Sequence, residues 1–136
     1  MKPEIKKLWI DALLSGEYQQ GQGYLRQRGD NEEPRFCCLG VLCDLAIKNG
    51  VPIIVSQRDE SVTEFDNASE SLPESVMEWA GLTSVNGGFY YSVTHQYQDF
   101  DGNIVEEEEM LEESLAELND NGHTFEEIAK DIEHYF

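Results

Sequence analysis

The stretch Phe36-Cys37-Cys38-Leu39-Gly40-Val41-Leu42-Cys43-Asp44-Leu45-Ala46 constrains this chain more than any other. It is the densest apolar run and it holds all three cysteines. At helical spacing Cys38, Leu42 and Leu45 fall on one side, and Leu39, Cys43 and Ala46 on the neighbouring one. Most of the circumference is therefore apolar, and a helix apolar nearly all round has to be buried. The spacing predicts a central helix over 38–48, with everything else arranged to cover it. At 136 residues, 40% of them hydrophobic, the chain is long enough for one real core, so one domain over 1–136 is expected.

No apolar run approaches the ~20 residues that a membrane span needs. The start, Met-Lys-Pro-Glu-Ile-Lys-Lys, leads into no apolar signal core. Three cysteines is an odd count, and Cys37 and Cys38 are adjacent, which disfavours pairing. Free thiols in a reducing cytoplasm are expected.

Charge is the second constraint. The net value is −19, and it is unevenly spread. Residues 1–58 carry a net +1, whereas 59–136 carry −20 with Lys130 as the single cation. Non-specific grip on DNA or RNA needs basic charge to displace counterions, so direct nucleic-acid binding is not expected. An acidic surface would instead steer in a basic protein. The plainer reading is a solvated acidic face that keeps the chain soluble.

Pro3–Leu14 reads as a first helix, with proline at its start and Ile5, Leu8, Trp9, Ala12 and Leu13 as its apolar stripe. Tyr18–Gly23 is rich in glycine and glutamine and reads as a turn; it lacks the lysine of a phosphate loop. Strands are expected at Tyr24–Arg28, Arg35–Cys37 and Val51–Val55. Gln57–Ser71 is polar and reads as a mobile loop that hides at most one short strand. A short helix follows Leu72-Pro73 and ends at Gly81. Phe89–Val93 reads as an aromatic strand, and Asp101-Gly102 as the turn of a hairpin between Tyr97 and Ile104. Glu106–Asn119 reads as an acidic helix, because Met110, Leu111, Leu115 and Leu118 recur at helical spacing. The last helix opens on the capping box Thr124-Phe125-Glu126-Glu127. The sum is an α+β domain: about five helices around a small, mainly antiparallel sheet.

Several constellations carry chemical meaning. Cys37 and Cys38 sit where a strand meets a helix start, which can lower a thiol pKa. With His95 as base and Asp99 or Asp101 to orient it, either cysteine would serve a hydrolase or transferase in the papain manner. The competing reading is that buried cysteines are small apolar core residues. No second Cys-x-x-Cys or paired histidine supports zinc. Asp99 to Glu108 partly matches a calcium loop, but Tyr97 stands where a first carboxylate is needed, and a hairpin turn explains the same residues. No metal and no cofactor is therefore expected. Leu111–Ile132 has helix-turn-helix spacing, yet its last helix sets Lys130 against Glu126, Glu127, Asp131 and Glu133, the wrong sign for DNA. Tyr24, Arg26, Arg28 and Arg35 form the arginine cluster of the first half. They suit a phosphate or carboxylate ligand, such as a nucleotide, or internal pairs with the acidic half; internal pairing is the preferred expectation.

Three blocks stand together: Phe36-Cys-Cys-Leu-Gly-Val-Leu-Cys43, Leu72-Pro-Glu-Ser-Val-Met-Glu-Trp-Ala-Gly-Leu82, and Leu118-Asn-Asp-Asn-Gly-His-Thr-Phe-Glu-Glu-Ile-Ala129. In these blocks the chain resembles a group of small proteins carried by bacteriophages and some bacterial genomes. The resemblance implies a phage accessory protein acting in the cytoplasm of an infected cell, and it brings no catalytic residue with it. The leading expectation is a non-enzymatic protein whose Glu106, Glu107, Glu108, Glu109, Glu112, Glu113 and Glu117 bind a basic host protein, in the manner of a DNA mimic.

Overall fold

A computed structural model describes residues 1–136. Its elements run α1 (Pro3–Leu14), β1 (Gln19–Gln20), β2 (Arg26–Arg28), β3 (Pro34–Phe36), α2 (Cys38–Lys48), β4 (Val55–Gln57), β5 (Val62–Phe65), α3 (Glu74–Ala80), β6 (Gly88–Gln98), β7 (Ile104–Ser114), α4 (Leu115–Asp120) and α5 (Phe125–Tyr135). Five helices stand beside a five-stranded sheet of order β1-β3-β2-β5-β4, and β6 and β7 form a separate two-stranded ribbon. All pairings are antiparallel except β1 with β3. The architecture is α+β, as the patterning predicted.

Helix α2 occupies the predicted span, and eight of its eleven residues are buried. Asp44, Ile47 and Lys48 mark its one partly wet side. Each fully buried Leu or Val contributes roughly 1.5–3 kcal/mol relative to exposure, so the helix is held by what surrounds it. Gly40 is the closest approach. A side-chain carbon there would collide with the backbone carbonyl of buried Leu25, so only glycine lets α2 lie against the strand that leads into β2.

The surrounding helices are tied on by specific bonds. On α1, Ile5, Trp9 and Leu13 turn inward at a spacing of four, and the Trp9 indole N–H donates to the Cys38 carbonyl at 2.9 Å. Leu8 stays partly exposed at 39%, so the stripe is narrower than the sequence reading. Lys6 Nζ donates to the Glu133 carbonyl at 3.0 Å, satisfying one of the open acceptors in the last turn of α5. The opening of α5 carries the capping box, with Thr124 and Glu127 bonded reciprocally.

Three expectations, the strand at Val51–Val55, the turn at Gln19–Gln20 and the acidic helix, are corrected by the fold. The strand placed at Val51–Val55 lies at Val55–Gln57, while the segment 57–71 holds the one short strand allowed for it, β5. Asp59 closes that hairpin: its Oδ1 accepts from the backbone N–H of Ser61 and Val62 at 2.8 and 2.9 Å. Gln19–Gln20, read as turn, is an edge strand parallel to β3. The largest correction concerns the acidic segment. Ile104–Ser114 is strand, and only Leu115–Asp120 is helix. A helix would have set Glu108 over Glu112 and Glu109 over Glu113, like charges four apart on one face. Pairing with the aromatic and β-branched residues of β6 avoids that stack.

Candidate functional site

Strands β6 and β7 form an arm of eleven residue pairs, from Gly88↔Ser114 to Gln98↔Ile104. At about 3.4 Å per residue it reaches roughly 35 Å. Its root is apolar. Phe89 is buried, stacks on Tyr135 at 4.6 Å between centroids, and meets Phe136 edge-on at 5.8 Å. Leu115 N–H donates to the Gly87 carbonyl at 3.0 Å, and Ala116 N–H to the Asn86 carbonyl at 3.1 Å, fixing the arm to α4. Farther out, Thr94–Gln98 and Glu106–Met110 are exposed throughout.

The tip is a turn over 99–103. Asp99 Oδ1 accepts from the N–H of Asp101 and of Asn103, each at 2.9 Å, and Gly102 takes the positive φ of 82°. The Asp99 carboxylate is therefore engaged with its own turn, and no group of three or more His, Cys, Asp or Glu side chains converges as a metal would require. The partial calcium-loop pattern is the signature of this turn.

Alternation divides the acids between the two faces of the arm. Glu106, Glu108 and Glu112 share one face with Tyr90, Met110 and Ile104. Glu107, Glu109 and Glu113 share the other with Tyr91, Leu111, Val93 and Val105. Three cross-strand bonds order the ribbon: His95 Nε2 with Glu109 Oε2 at 2.8 Å, Gln96 Nε2 donating to Glu106 at 2.7 Å, and the Tyr97 hydroxyl donating to Glu107 at 2.8 Å. The Glu107 bond holds the Tyr97 phenol above its ordinary pKa. Glu117, grouped with the arm's acids in the sequence reading, lies instead in the first turn of α4. In all, 88–114 holds eight carboxylates and no Lys or Arg.

The papain-like arrangement is not assembled. Cys37 is 4% exposed, and Cys38 and Cys43 are fully buried. Burial pushes the Cys37 thiol from an ordinary 9.0 up to about 11; the N–H groups of Gly40 and Leu39 pull the other way and lose. Burial likewise raises Cys38 and Cys43. The Cys38 thiol donates to the Leu115 carbonyl at 3.6 Å. His95 spends its ring nitrogen on Glu109 out on the arm, and Asp99 belongs to the arm's turn. The thiols are core residues, and the proposed base is not beside them.

The arginines are the second correction. None of the three, Arg26, Arg28 and Arg35, has a carboxylate within 4.0 Å, so the expected internal pairs are absent. Arg26 lies over the Phe36 ring at 5.7 Å and lines a hollow with Gln57 and Thr63. Arg28, on the same sheet face, borders that hollow too, while Arg35 lies on the opposite face and lines a cleft of about 520 Å³ with Gln20, Gln22 and His123; Gln27 and Arg28 border both. Tyr24 lines neither.

Beneath this cleft is a bonded floor that the sequence reading missed. Asn119 is fully buried on α4. Its Oδ1 accepts from the Cys38 N–H at 3.1 Å and from Gln20 Nε2 at 2.9 Å, while its Nδ2 donates to the Gly21 carbonyl at 2.8 Å. One amide thus caps α2, whose own N-cap residue, Cys37, supplies no side-chain bond. Gln20 also donates to the His123 carbonyl at 2.7 Å and accepts from the Phe125 N–H at 3.2 Å. The only visible signal was an asparagine between Leu118 and a glycine turn, which reads as an ordinary helix end.

The fold and site together define an α+β domain with a buried cysteine helix, a long acidic arm and a polar cleft. Residues 1–136 match the family described as a domain of unknown function (DUF8296), and the chain belongs to that family. No curated protein and no solved structure matches it. No helix is long and apolar enough to cross a membrane.

Proposed function

We propose that this protein is a non-enzymatic accessory protein, of the phage-borne kind its sequence blocks resemble, whose arm docks on a basic surface of a host protein. The observation that carries the reading is the arm's charge and exposure: eight carboxylates, no cation, and two open faces. Over Glu106–Glu109 each face presents a carboxylate at every second residue, about 6.8 Å apart. A single DNA strand presents one phosphate per 3.4 Å of helix axis. A protein that grips DNA would find the same sign of charge here, at about half that density on either face.

The arm also offers apolar anchors among its acids. Phe100 is fully exposed at the tip, and Ile104 and Met110 are 70% and 65% exposed. Aromatic and apolar anchors ringed by charge are the composition of a protein interface. Complementary charge would speed the encounter and the anchors would hold it.

The test is capture from a bacterial host lysate across a salt series from about 0.01 M to about 1 M, over which the Debye length falls from about 30 Å to about 3 Å. The paired control replaces Glu106, Glu107, Glu108 and Glu109 with Gln. Expected is capture of a basic protein that fades with salt and is lost in the control. Capture indifferent to salt, or equal in the control, overturns the reading.

A further inference from the structure

We propose that β6 pairs along its open edge with β6 of a second copy of this chain, antiparallel, so that two arms make one four-stranded sheet of order β7-β6-β6-β7. The acids of β7 then lie on the outside of the sheet, still open to the partner proposed above.

The first observation is the direction of the backbone groups. The two ends of the ribbon show which residues bond across it. Leu115 N–H donates to the Gly87 carbonyl at 3.0 Å, and Asp99 N–H donates to the Asn103 carbonyl at 2.9 Å. In an antiparallel pair bonded and non-bonded positions alternate, so the odd-numbered residues of β6 turn their N–H and C=O toward β7. Tyr90, Ser92, Thr94, Gln96 and Gln98 turn theirs the other way. Gly88 has the same sense: its N–H leaves the ribbon and donates to Ser84 Oγ at 2.8 Å. The only strand beside β6 is β7, so the outward groups from Tyr90 to Gln98 have no partner in the sheet.

The second observation is a contrast between the two edges. From Gly88 to Gln98, eleven residues, β6 holds no Asp, Glu, Lys or Arg. Over the same length β7 holds six glutamates. A long strand edge without charge is one that folded proteins otherwise shield. Pairing through β6 keeps the two β7 strands three strand spacings apart, about 14 Å, beyond the Debye length of about 8 Å at physiological salt. Pairing through β7 would set the two runs of glutamates about 5 Å apart. A second copy is thus accepted at one edge and repelled at the other.

The third observation is self-complementarity. Antiparallel pairing sends the two bodies to opposite ends of the sheet, and a two-fold axis gives both copies the same contact. The outward-facing run 90–98 is centred on Thr94, so full overlap puts the axis there. Thr94 faces its counterpart, Ser92 faces Gln96 and Tyr90 faces Gln98, with about ten backbone bonds in all. At the closer, non-bonded positions Tyr91 meets Tyr97 and Val93 meets His95, cross-strand pairs that stabilise a sheet. A lone two-stranded ribbon is marginal in water, and the outer half of this arm is exposed throughout. Four strands remove that weakness.

The experiment is sedimentation equilibrium of the intact protein over a concentration series to about 1 mM, with backbone amide exchange followed residue by residue by NMR. Expected is a mass that rises to twice 15.5 kDa. As it rises, the N–H groups of Ser92, Thr94 and Gln96 should exchange at least about tenfold more slowly, while those of Glu106 and Glu108, on the other edge, stay fast. Thr94→Pro removes an outward N–H and no bond to β7, so it should return the chain to 15.5 kDa with its melting midpoint unchanged. Glu108→Pro, at the directly opposed residue, makes the same change on the β7 edge and should leave the mass doubled. Association should hold or tighten as salt rises, the reverse of docking on a basic protein, so the two readings fail separately. A mass of 15.5 kDa throughout, a doubled mass that survives Thr94→Pro, or fast exchange at Thr94 in the doubled species overturns the proposal.

Discussion

The body around α2 and the arm of β6 and β7 obey opposite rules. In the body nearly every position is decided by neighbours from distant parts of the chain. Trp9 bonds to Cys38, Asn119 to Cys38 and Gly21, and Gly40 lies against Leu25. In the outer arm each residue answers only to the strand beside it, through pairs such as Gln96 with Glu106. The body spends its side chains on being one shape. The arm spends its own on facing outward. Substitutions should therefore cost stability in the first and leave it nearly untouched in the second.

The largest effect should come from Gly40→Ala. The added carbon meets backbone, which cannot rotate away, so loss of cooperative thermal unfolding is expected. A normal melt would break the claim that α2 is wedged against Leu25. Asn119→Ala comes next, at about 3 kcal/mol by chemical denaturation, because it strands the Cys38 N–H, the Gly21 carbonyl and the Gln20 amide together. Asn119→Asp should not rescue it, since a carboxylate cannot donate to the Gly21 carbonyl.

Alkali should then act on the body through its thiols. Cys37 holds its proton in the folded state up to about 11, against an ordinary 9.0. A raised folded pKa contributes stability that is present in full below the unfolded value and is lost as pH rises through the folded one. Stability should fall between about pH 9 and about pH 11, and Cys37→Ala should flatten that slope. At neutral pH all three thiols should resist a disulfide reagent until the protein unfolds. A fast-reacting thiol would restore the nucleophile reading.

In acid the sign reverses for Glu127. Its carboxylate is held below the usual range by the Thr124 backbone N–H first and the Thr124 hydroxyl second. Its contribution is present above the unfolded value and is lost as pH falls through the folded one, so Glu127→Gln should shallow the acid limb of a stability profile. The smallest effect belongs to the arm. Replacing Glu106–Glu109 with Gln should change the unfolding free energy by no more than about 0.5 kcal/mol per site. A larger loss would show that the arm, too, is part of the scaffold.

The same contrast explains what could be read without coordinates. Helix α2 was legible to the residue because an apolar circumference has one physical solution, burial. The start of α5 was legible because a capping box is local chemistry. The acidic segment misled because glutamate favours helix while its neighbours decide otherwise. Met110 and Leu111 looked helically spaced, yet they point to opposite faces of a strand whose partner, β6, lies earlier in the chain. The cleft was half legible. Arg28 and Arg35 were singled out, but attraction to the acidic half was expected to consume them, and the arm carries many of those acids outward instead. Gln20 and Asn119 gave no signal, since an amide's role depends on partners about a hundred residues away.

A two-stranded ribbon has two unpaired edges, and each is a template on which another chain could assemble. Here the run Glu106–Glu109 sits on one such edge, so any neighbour attempting to add a like strand meets four negative charges in succession. The glutamates are in that sense guards as well as bait. Neutralise them with acid, and concentrated solutions should begin to form β-rich fibres seeded at this border, while the helical body beneath remains folded.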